Sequence, residues 1–433
     1  MIRRRRSRTA LIALVGAMSL VVGILVGLSS GSGTPVGASA QAPDGFVVSI
    51  TPVRVFDSRE ASTPLSTSSS GSERVVDVFG SLSASPDVIA VFANVTMVGA
   101  GADGYVTIFP TGRDRPNAST VNFSRGETVA ASTLIARGPM GTSTVVVVTP
   151  KSNSTVDVII DVFALVTSDP VRTGASVVRT VSPGRVHDTR STSRIGPGEW
   201  RTIPIAGRSL DGSSDVVPAD GSVTAVAINV TVVNTSIASR PTWISTVVGT
   251  SLANVDKGRV AANFGLVPIA PDGSISIYND AGSTDVVVDV WGYASTSGVS
   301  VSAPGRIVVL DTPFRAVDSR PDPLGPGRSE PWNFADFNRS LASSRNGLGS
   351  VSALIGNLTG TDLRRRYAGL AVSTFLTAYP MAGSVPLTSN LNLVEGDTKS
   401  NLGLFRLGNE EMSVYNDDGY VNYVLDVAAV IVE

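Results

Sequence analysis

The sequence predicts an all-β protein made of three tandem β-sandwich modules resembling jelly rolls, preceded by an N-terminal signal peptide or signal-anchor. The first observation is an eight-residue motif, Pro-x-Arg-x-x-Asp-Ser/Thr-Arg, which recurs at nearly constant spacing as Pro52–Arg59, Pro183–Arg190 and Pro313–Arg320. The second is composition: only 16% of residues are charged and 6% aromatic, while Val, Thr, Ser and Gly are abundant. The third is period-two alternation of apolar residues between frequent turn signals, which is typical of sandwiches.

The repeat predicts the domain boundaries. We predict a signal or anchor region at 1–42 and sandwich modules at 46–166, 177–294 and 307–433. Short Ser/Gly/Pro-rich segments separate the modules, and this composition favours flexible or extended linkers. The expectation is therefore separate modules arranged as beads on a string.

The N-terminus has the order of an export signal. Five arginines within residues 3–8 precede an uncharged apolar run over 9–28, and small residues follow at Ala38-Ser39-Ala40. The apolar run is close to the ~20 residues that span a bilayer, so an uncleaved anchor remains an alternative to cleavage. Both alternatives predict an extracellular or cell-surface protein that touches a membrane only through an uncleaved N-terminal segment.

Composition also excludes several kinds of function. The chain has no cysteine and a single histidine, His187, which argues against disulfides, thiol nucleophiles and histidine or cysteine metal clusters. Its net charge is −2 with the arginine-rich leader included, so nothing favours a nucleic-acid partner. No metal or cofactor is predicted.

An apolar strand follows each motif and carries Asn-Val/Leu-Thr, beginning at Asn94, Asn229 and Asn357. Both faces of its alternation are largely apolar, which predicts a central strand covered on both sides. The triplet matches the glycosylation sequon, but its fixed strand position favours a structural asparagine.

The last strand of each module alternates apolar residues with a carboxylate at one fixed place: Asp161, Asp289 and Asp426. This pattern predicts a core face and a second face that holds a positioned aspartate.

The repeated polar residues have two competing interpretations. In an extended motif Asp57 and Arg59 lie on one face and Arg54 on the other, so an internal ion-pair and turn network is expected, with the closing-strand aspartates as partners. The alternative is a groove that hydrogen-bonds sugar hydroxyls. The candidate ligand-binding residues are Arg59, Asn94, Asp161, Arg190, Asn229, Asp289, Arg320, Asn357 and Asp426. The structural interpretation is preferred.

Catalytic interpretations have less support. A serine triad would need His187, but the other two motif copies have Phe56 and Val317 at its position. Paired aspartates could serve a hydrolase only in a cleft. Trp200 and Trp332 follow similar Gly-Pro-Gly turns and are predicted to be packing anchors. No catalytic residue is predicted.

Taken together, these motifs resemble a poorly characterised family of secreted actinobacterial repeat proteins, whose modules run Pro-x-Arg-x-x-Asp-Ser/Thr-Arg, Asn-Val-Thr, Tyr-Asn and Asp-Val-x-Gly-Tyr. The second module is closest, with Tyr278-Asn279 and Asp289-Val290-Trp291-Gly292-Tyr293. The first departs at Ala131 and at Thr149-Pro150, and the third at Asp426-Val427-Ala428-Ala429. The resemblance implies extracellular accessory modules and no secure activity.

The sequence therefore predicts a non-enzymatic, secreted or surface-tethered structural or adhesive protein of a bacterial envelope. Tandem carbohydrate-binding modules for cell-wall or extracellular polysaccharide are the alternative, and an aspartate-dependent hydrolase is a weaker one. Possible partners are such polysaccharides or other surface proteins.

Overall fold

The computed structural model describes residues 44–433 except 61–63, 68–71, 140, 142, 151–153, 234–235, 237–241, 248, 345–348, 367–371 and 382. The predicted signal segment lies outside the described residues. Nearly all regular structure is β, which confirms the all-β prediction. The helices are α1 (Val78–Ser81), a 3-10 turn (Thr189–Ser191) and α2 (Ala335–Ser344).

The strands fall into three successive sets, which we call modules 1, 2 and 3. Module 1 contains β1 (Asp44–Asp57), β2 (Leu65–Thr67), β3 (Ser72–Val76), β4 (Val88–Val98), β5 (Gly104–Pro110), β6 (Val121–Phe123), β7 (Val129–Ala136), β8 (Thr144–Pro150) and β9 (Ser154–Thr167). Module 2 contains β10 (Val177–Asp188), β11 (Glu199–Pro204), β12 (Val223–Val233), β13 (Thr242–Ser245), β14 (Ala253–Val255), β15 (Ala261–Pro268), β16 (Ser274–Asn279) and β17 (Asp285–Ser295). Module 3 contains β18 (Arg306–Asp318), β19 (Arg328–Asn333), β20 (Val351–Arg364), β21 (Ser373–Pro380), β22 (Leu391–Val394), β23 (Lys399–Arg406), β24 (Glu411–Asn416) and β25 (Tyr420–Val432).

Each module is a jelly roll of two four-stranded antiparallel sheets. The inner sheets run β1-β9-β4-β7, β10-β17-β12-β15 and β18-β25-β20-β23, and the outer sheets run β3-β8-β5-β6, β11-β16-β13-β14 and β19-β24-β21-β22. With the short β2 set aside, the first strand of every module lies beside the last, and the same order recurs three times. The jelly-roll-like prediction is therefore confirmed.

The Asn-Val/Leu-Thr strands are central, as predicted: β4, β12 and β20 each lie between the closing strand and a further strand. One face packs into the module's own sandwich, for example Val226, Ile228 and Val230 in a core made of module 2 residues. The opposite face carries Ala225, Ala227 and Asn229, and it is also buried. It packs against other modules.

The three modules pack into one body around a central axis, so the expectation of beads on a string is wrong. The inner-sheet edge strands β7, β15 and β23 lie against one another. A single apolar cluster draws buried side chains from all three modules, including Phe92, Phe264 and Phe405. The linkers allow separation, but these apolar faces gain more free energy by burying one another.

Modules 1 and 3, which no linker joins directly, also pair with each other. At the start of β1, Asp44 and Gly45 pair with Val308 and Ile307 of β18, which joins the inner sheets of modules 1 and 3. Burying β7, β15 and β23 at the axis removes three sheet edges from solvent. Two of the outer-sheet edge strands, β11 and β19, carry charges and a proline each, a pattern that discourages edge-to-edge association.

Candidate functional site

The end of the repeated motif forms a turn held by its aspartate. In module 1 the Asp57 carboxylate accepts bonds from the Arg59 backbone N–H (3.0 Å), Nε (2.9 Å) and Nη2 (2.6 Å). The same three bonds recur between Asp188 and Arg190 and between Asp318 and Arg320. Arg59, Arg190 and Arg320 are therefore half-exposed and paired within their own modules.

The motif's Ser or Thr fastens this turn to the last strand. Thr189 Oγ1 donates to the Asp285 carboxylate (3.2 Å) and accepts from the Val286 N–H (2.8 Å). Ser58 Oγ does the same with Asp157 (2.7 Å) and Val158 (3.0 Å). Every polar position at the end of the motif thus has a bonding role inside the module.

The first arginine of the motif reaches the closing-strand aspartate, contrary to its predicted orientation. Arg54 Nε donates to Asp161 Oδ1 (2.9 Å), and Arg54 Nη1 lies 3.4 Å from Asp57 Oδ2. The strand pairing shifts register between Arg54 and Phe56, so a bulge inserts one residue and brings Arg54 onto the face of Asp57. The same bulge places Arg185 on Asp289 and Arg315 on Asp426, at 2.9 and 3.0 Å.

The two sets of aspartates differ in electrostatics. Burial raises the pKa of Asp161, Asp289 and Asp426, and the adjacent arginine opposes this shift in each. The pKa of Asp57, Asp188 and Asp318 is lowered, chiefly by the side-chain bond from the arginine two residues later. The first set depends on its ion pair because a buried carboxylate is costly when unpaired.

The repeated asparagines lie at the contacts between modules. At junction 1/2, where module 1 meets module 2, Asn94 Nδ2 donates to the Ser251 carbonyl (2.5 Å) and Asn94 Oδ1 accepts from Asn263 Nδ2 (2.8 Å). Asn263 Oδ1 accepts from the Ser132 N–H (2.9 Å), and Arg54 Nη2 donates to the Gly249 carbonyl (3.1 Å). Asn94 and Asn263 are both almost fully buried.

Junction 2/3 repeats this arrangement. Asn229 Nδ2 donates to the Ser389 carbonyl (2.6 Å), and Asn401 Nδ2 donates to Asn229 Oδ1 (2.8 Å). Asn401 Oδ1 accepts from the Phe264 N–H (2.9 Å), and Arg185 Nη2 donates to the Leu387 carbonyl (2.6 Å). The same polar groups therefore fasten two successive junctions.

Junction 3/1, where module 3 meets module 1, keeps only part of the pattern. Asn357 Nδ2 donates to the Ser119 carbonyl (2.7 Å), but module 1 has Ala131 where the other modules have Asn263 and Asn401. Three ion pairs also join the modules here. They are Arg113 with Asp311 (2.9 Å), Arg306 with Asp44, and Lys399 with Glu127.

The nine candidate residues thus fall into three sets of three, of which the turn arginines described above are the first. Asn94, Asn229 and Asn357 bridge modules, and Asp161, Asp289 and Asp426 are the buried ion-pair partners of the motif's first arginine. Sequence reasoning missed the bridging role of Arg54, Arg185, Asn263 and Asn401. The recurrence of asparagine at 263 and 401, five residues after a shared glycine, was the signal for the last two.

Two of the small clefts at the junctions are lined by the repeated polar residues. One of about 30 Å³ at junction 1/2 is lined by Asn94, Asp161 and Phe163, and one of about 20 Å³ at junction 3/1 by Asn357, Asp426 and Ala428. Both are far smaller than the roughly 300 Å³ at which pockets begin to enclose organic ligands.

Trp200 is not the packing anchor that was predicted, whereas Trp332 is. Trp200 pairs with Tyr278 near the start of β11 and is 45% exposed. Trp332 pairs with Met412, lies further along its strand and is buried. Trp200 follows its Gly-Pro-Gly turn by two residues and Trp332 by five. These distances differ by three residues, and an odd difference puts the two side chains on opposite faces of equivalent strands.

His187 is half-buried, and burial is the main cause that lowers its pKa. In the part of the chain that the structure describes, no hydrogen bond joins it to a serine. Across the same described residues, no three His, Cys, Asp or Glu side chains gather where a metal ion could bind. None of the described helices has the length and apolar character needed to cross a bilayer.

Comparison with known proteins adds little. No protein family model matches the chain, and no curated protein matches it in sequence. Two archaeal virus structures align over most of its length at 8% identity. The alignment with a structure of Sulfolobus Turreted Icosahedral Virus covers 84% of each chain and has a TM-score of 0.16. The alignment with an archaeal virus structure described as a triple jelly roll fold covers 88% of this chain and 91% of the viral chain, with a TM-score of 0.17. At such scores the likeness supports no inference.

Proposed function

We propose that this chain is a non-enzymatic structural protein of a bacterial cell surface, exported by its N-terminal segment. Its three jelly rolls would act as one rigid adhesive or envelope-associated body. The observation that carries the proposal is the use of the repeated asparagines: Asn94, Asn229 and Asn357 each donate to a backbone carbonyl of the next module. Residues committed to holding modules together are poorly placed to bind a ligand.

The electrostatic features support the same function. The closing-strand aspartates are bonded to arginines of their own modules, and their carboxylates are almost fully buried. A hydrolase needs a carboxylate that can reach substrate. An aspartate-dependent hydrolase therefore has less support than a structural role.

The Asn229→Ala variant of the exported fragment tests this proposal. We expect its free energy of unfolding to fall by about 1–3 kcal/mol, because the Ser389 carbonyl and Asn401 amide lose their partner. Retention on insoluble polysaccharides should not change. Urea unfolding and a polysaccharide pull-down measure the two effects.

Asn279→Ala is the matched control, because Asn279 is also buried and its Nδ2 donates within module 2, to the Ile195, Gly196 and Gly282 carbonyls. It should destabilise the protein without loosening module contacts, which X-ray scattering would report as an unchanged radius of gyration. An Asn229→Ala protein that stays fully stable but loses polysaccharide retention would contradict the structural proposal.

One observation favours the carbohydrate-binding alternative, at a different place. The rings of Trp200 and Tyr278 lie side by side on the outer sheet of module 2, with centroids 5.1 Å apart. Exposed aromatic faces can stack on apolar faces of sugar rings. Modules 1 and 3 have Glu73 and Ser329 at the strand position of Trp200, so such a site would be single and not repeated.

Trp200→Ala tests this alternative. If module 2 binds a polysaccharide through the ring pair, its affinity should fall at least tenfold, a loss of about 1.4 kcal/mol. The thermal unfolding midpoint should not move. Tyr420→Ala is the control, since Tyr420 is a similarly exposed aromatic residue on module 3. Equal binding by the wild-type and Trp200→Ala proteins to every polysaccharide tested would remove this alternative.

A further inference from the structure

Junction 3/1 departs from the other two at a single strand position. Ala131, Asn263 and Asn401 occupy the same place in their modules, because each is the cross-strand partner of the residue after the bridging asparagine. Two of the three junctions therefore have an asparagine pair, and the third does not.

The asparagine at this position makes the same three bonds at both junctions that have it. Asn263 Nδ2 donates to Asn94 Oδ1 and to the Leu252 carbonyl (2.5 Å), and its Oδ1 accepts from a backbone N–H of module 1. Asn401 bonds in the same way, with the Asn390 carbonyl (2.7 Å) in place of Leu252. Alanine at 131 removes all three bonds from junction 3/1.

One of these losses is compensated by a neighbouring substitution. Thr120 lies at the position equivalent to Leu252 and Asn390. Its carbonyl accepts a bond from Ser400 Oγ of module 3 (3.1 Å) and a longer one from Asn357 Nδ2 (3.3 Å). At the position of Ser400, modules 1 and 2 have Ala130 and Ala262. A serine is thus found only where the asparagine amide is missing.

The second loss is not compensated by the described protein groups. Asn357 Oδ1 is buried and has no hydrogen-bond partner there, whereas Asn94 and Asn229 Oδ1 each accept from an asparagine. A buried acceptor left unsatisfied costs about 1–3 kcal/mol. The small cleft of junction 3/1 is lined by this same Asn357 together with Thr120 and Leu402.

We propose that this cleft binds one ordered water molecule in place of the side chain that Ala131 lacks. The water donates to Asn357 Oδ1. The Leu402 N–H, equivalent to the Ser132 and Phe264 groups that bond asparagines, is positioned to donate to it. A volume of about 20 Å³ exceeds the roughly 10–15 Å³ that a water requires and leaves no room for a sugar. This inference does not depend on the proposed function.

A crystal structure of the exported fragment at about 1.5 Å resolution tests the proposal directly. The expected result is one well-ordered water within hydrogen-bond distance of Asn357 Oδ1. An Asn357 Oδ1 bonded to a protein donor, or a cleft without solvent density, would overturn it.

A double-mutant cycle between Ala131→Asn and Ser400→Ala tests it in solution. The new amide should displace the water and raise Tm by about 2 °C. Ser400→Ala should lower Tm in the wild type but have little effect in the Ala131→Asn background, because the introduced amide then supplies the bond to Thr120.

Asn263→Ala, which creates the same defect at junction 1/2, is the control and should lower Tm. Additive effects of the two substitutions would contradict the proposal, and the crystal structure decides the matter if Ala131→Asn does not fold.

Discussion

At the scale of single residues, the polar groups of this protein specify how apolar surfaces meet. Apolar packing is non-directional, so it does not by itself choose one arrangement of three similar modules. Buried asparagines select one arrangement, because a shifted module would leave the side-chain amide of Asn94 or Asn229 without hydrogen-bond partners in a low-dielectric site. The repeated polar positions therefore determine the packing register.

The buried ion pairs give a pH-dependent prediction at the same scale. Arg185→Met leaves the Asp289 carboxylate buried without its cation, and we expect the free energy of unfolding to fall by about 3–5 kcal/mol at pH 8. Burial already raises the pKa of Asp289, and removing the cation raises it further. A carboxyl whose folded pKa exceeds its unfolded value binds protons preferentially in the folded state. Its unfavourable effect therefore grows as pH rises above the unfolded pKa and is complete above the folded pKa.

The destabilisation should therefore be smaller at pH 5 than at pH 8, as measured by urea unfolding at both pH values. In a protein that also carries Asp289→Asn, the destabilisation by Arg185→Met should be the same at both pH values. Arg190→Met is the control, since its half-exposed pair with Asp188 should contribute less than about 1 kcal/mol. An Arg185→Met protein with the same loss at both pH values would contradict this assignment.

Sequence reasoning reached the ion-pair network but placed Arg54 on the wrong face. Asp161, Asp289 and Asp426 were anticipated as partners in this network, and the arginines that pair with them are Arg54 and its copies. Period-two alternation assigns faces correctly only in a regular strand. The bulge after Arg54 depends on tertiary pairing with β9, and the sequence carries no separate signal for it.

At the scale of strands, the topology was predictable and the register was not. The Asn of the Tyr-Asn motif shows why. Asn279 and Asn416 each close a turn through three backbone carbonyls. In module 1 the strand pairing places Val147-Val148 there and not Thr149-Pro150, because β8 runs two residues further.

Register also predicts how the two strand tryptophans contribute to stability. Trp332→Ala should cost about 3–5 kcal/mol, because Trp332 is buried and its Nε1 donates to Tyr423 Oη (2.7 Å). Trp200→Ala should change the free energy of unfolding much less, by about 0.5 kcal/mol, since nearly half of the Trp200 surface is exposed. Urea unfolding of both variants measures this difference, and similar losses in the two would mean that Trp200 is covered in solution.

At the scale of the whole molecule, linker composition was a poor guide to module arrangement. Short Ser/Gly/Pro segments permit separation, but the surfaces of the modules decide whether it occurs. The signal was present in β12, whose outward residues Ala225 and Ala227 are apolar although they lie outside the sandwich core. A strand that is apolar on both faces needs a partner on each.

The closed body has one junction without a covalent linker, and a disulfide can supply one. The chain connects module 1 to 2 and 2 to 3, while junction 3/1 is held by noncovalent contacts alone, among them ion pairs and the short β1–β18 pairing. Asp44 and Val308 are cross-strand partners, at a separation that a disulfide can span, and the protein has no other cysteine.

Asp44→Cys/Val308→Cys should oxidise readily and stabilise the body by about 3–5 kcal/mol, because the cross-link closes a long loop in the unfolded chain. The comparison is between oxidised and reduced forms of the same double variant, because Asp44→Cys also removes the ion pair with Arg306. Calorimetry should show a higher Tm for the oxidised form. The reduced form should gain less stability than the wild type when salt is lowered from about 1 M to about 10 mM, because it lacks one attractive pair. Failure of the disulfide to form would contradict the pairing of Asp44 with Val308, and an identical Tm in both forms would contradict the expected stabilisation.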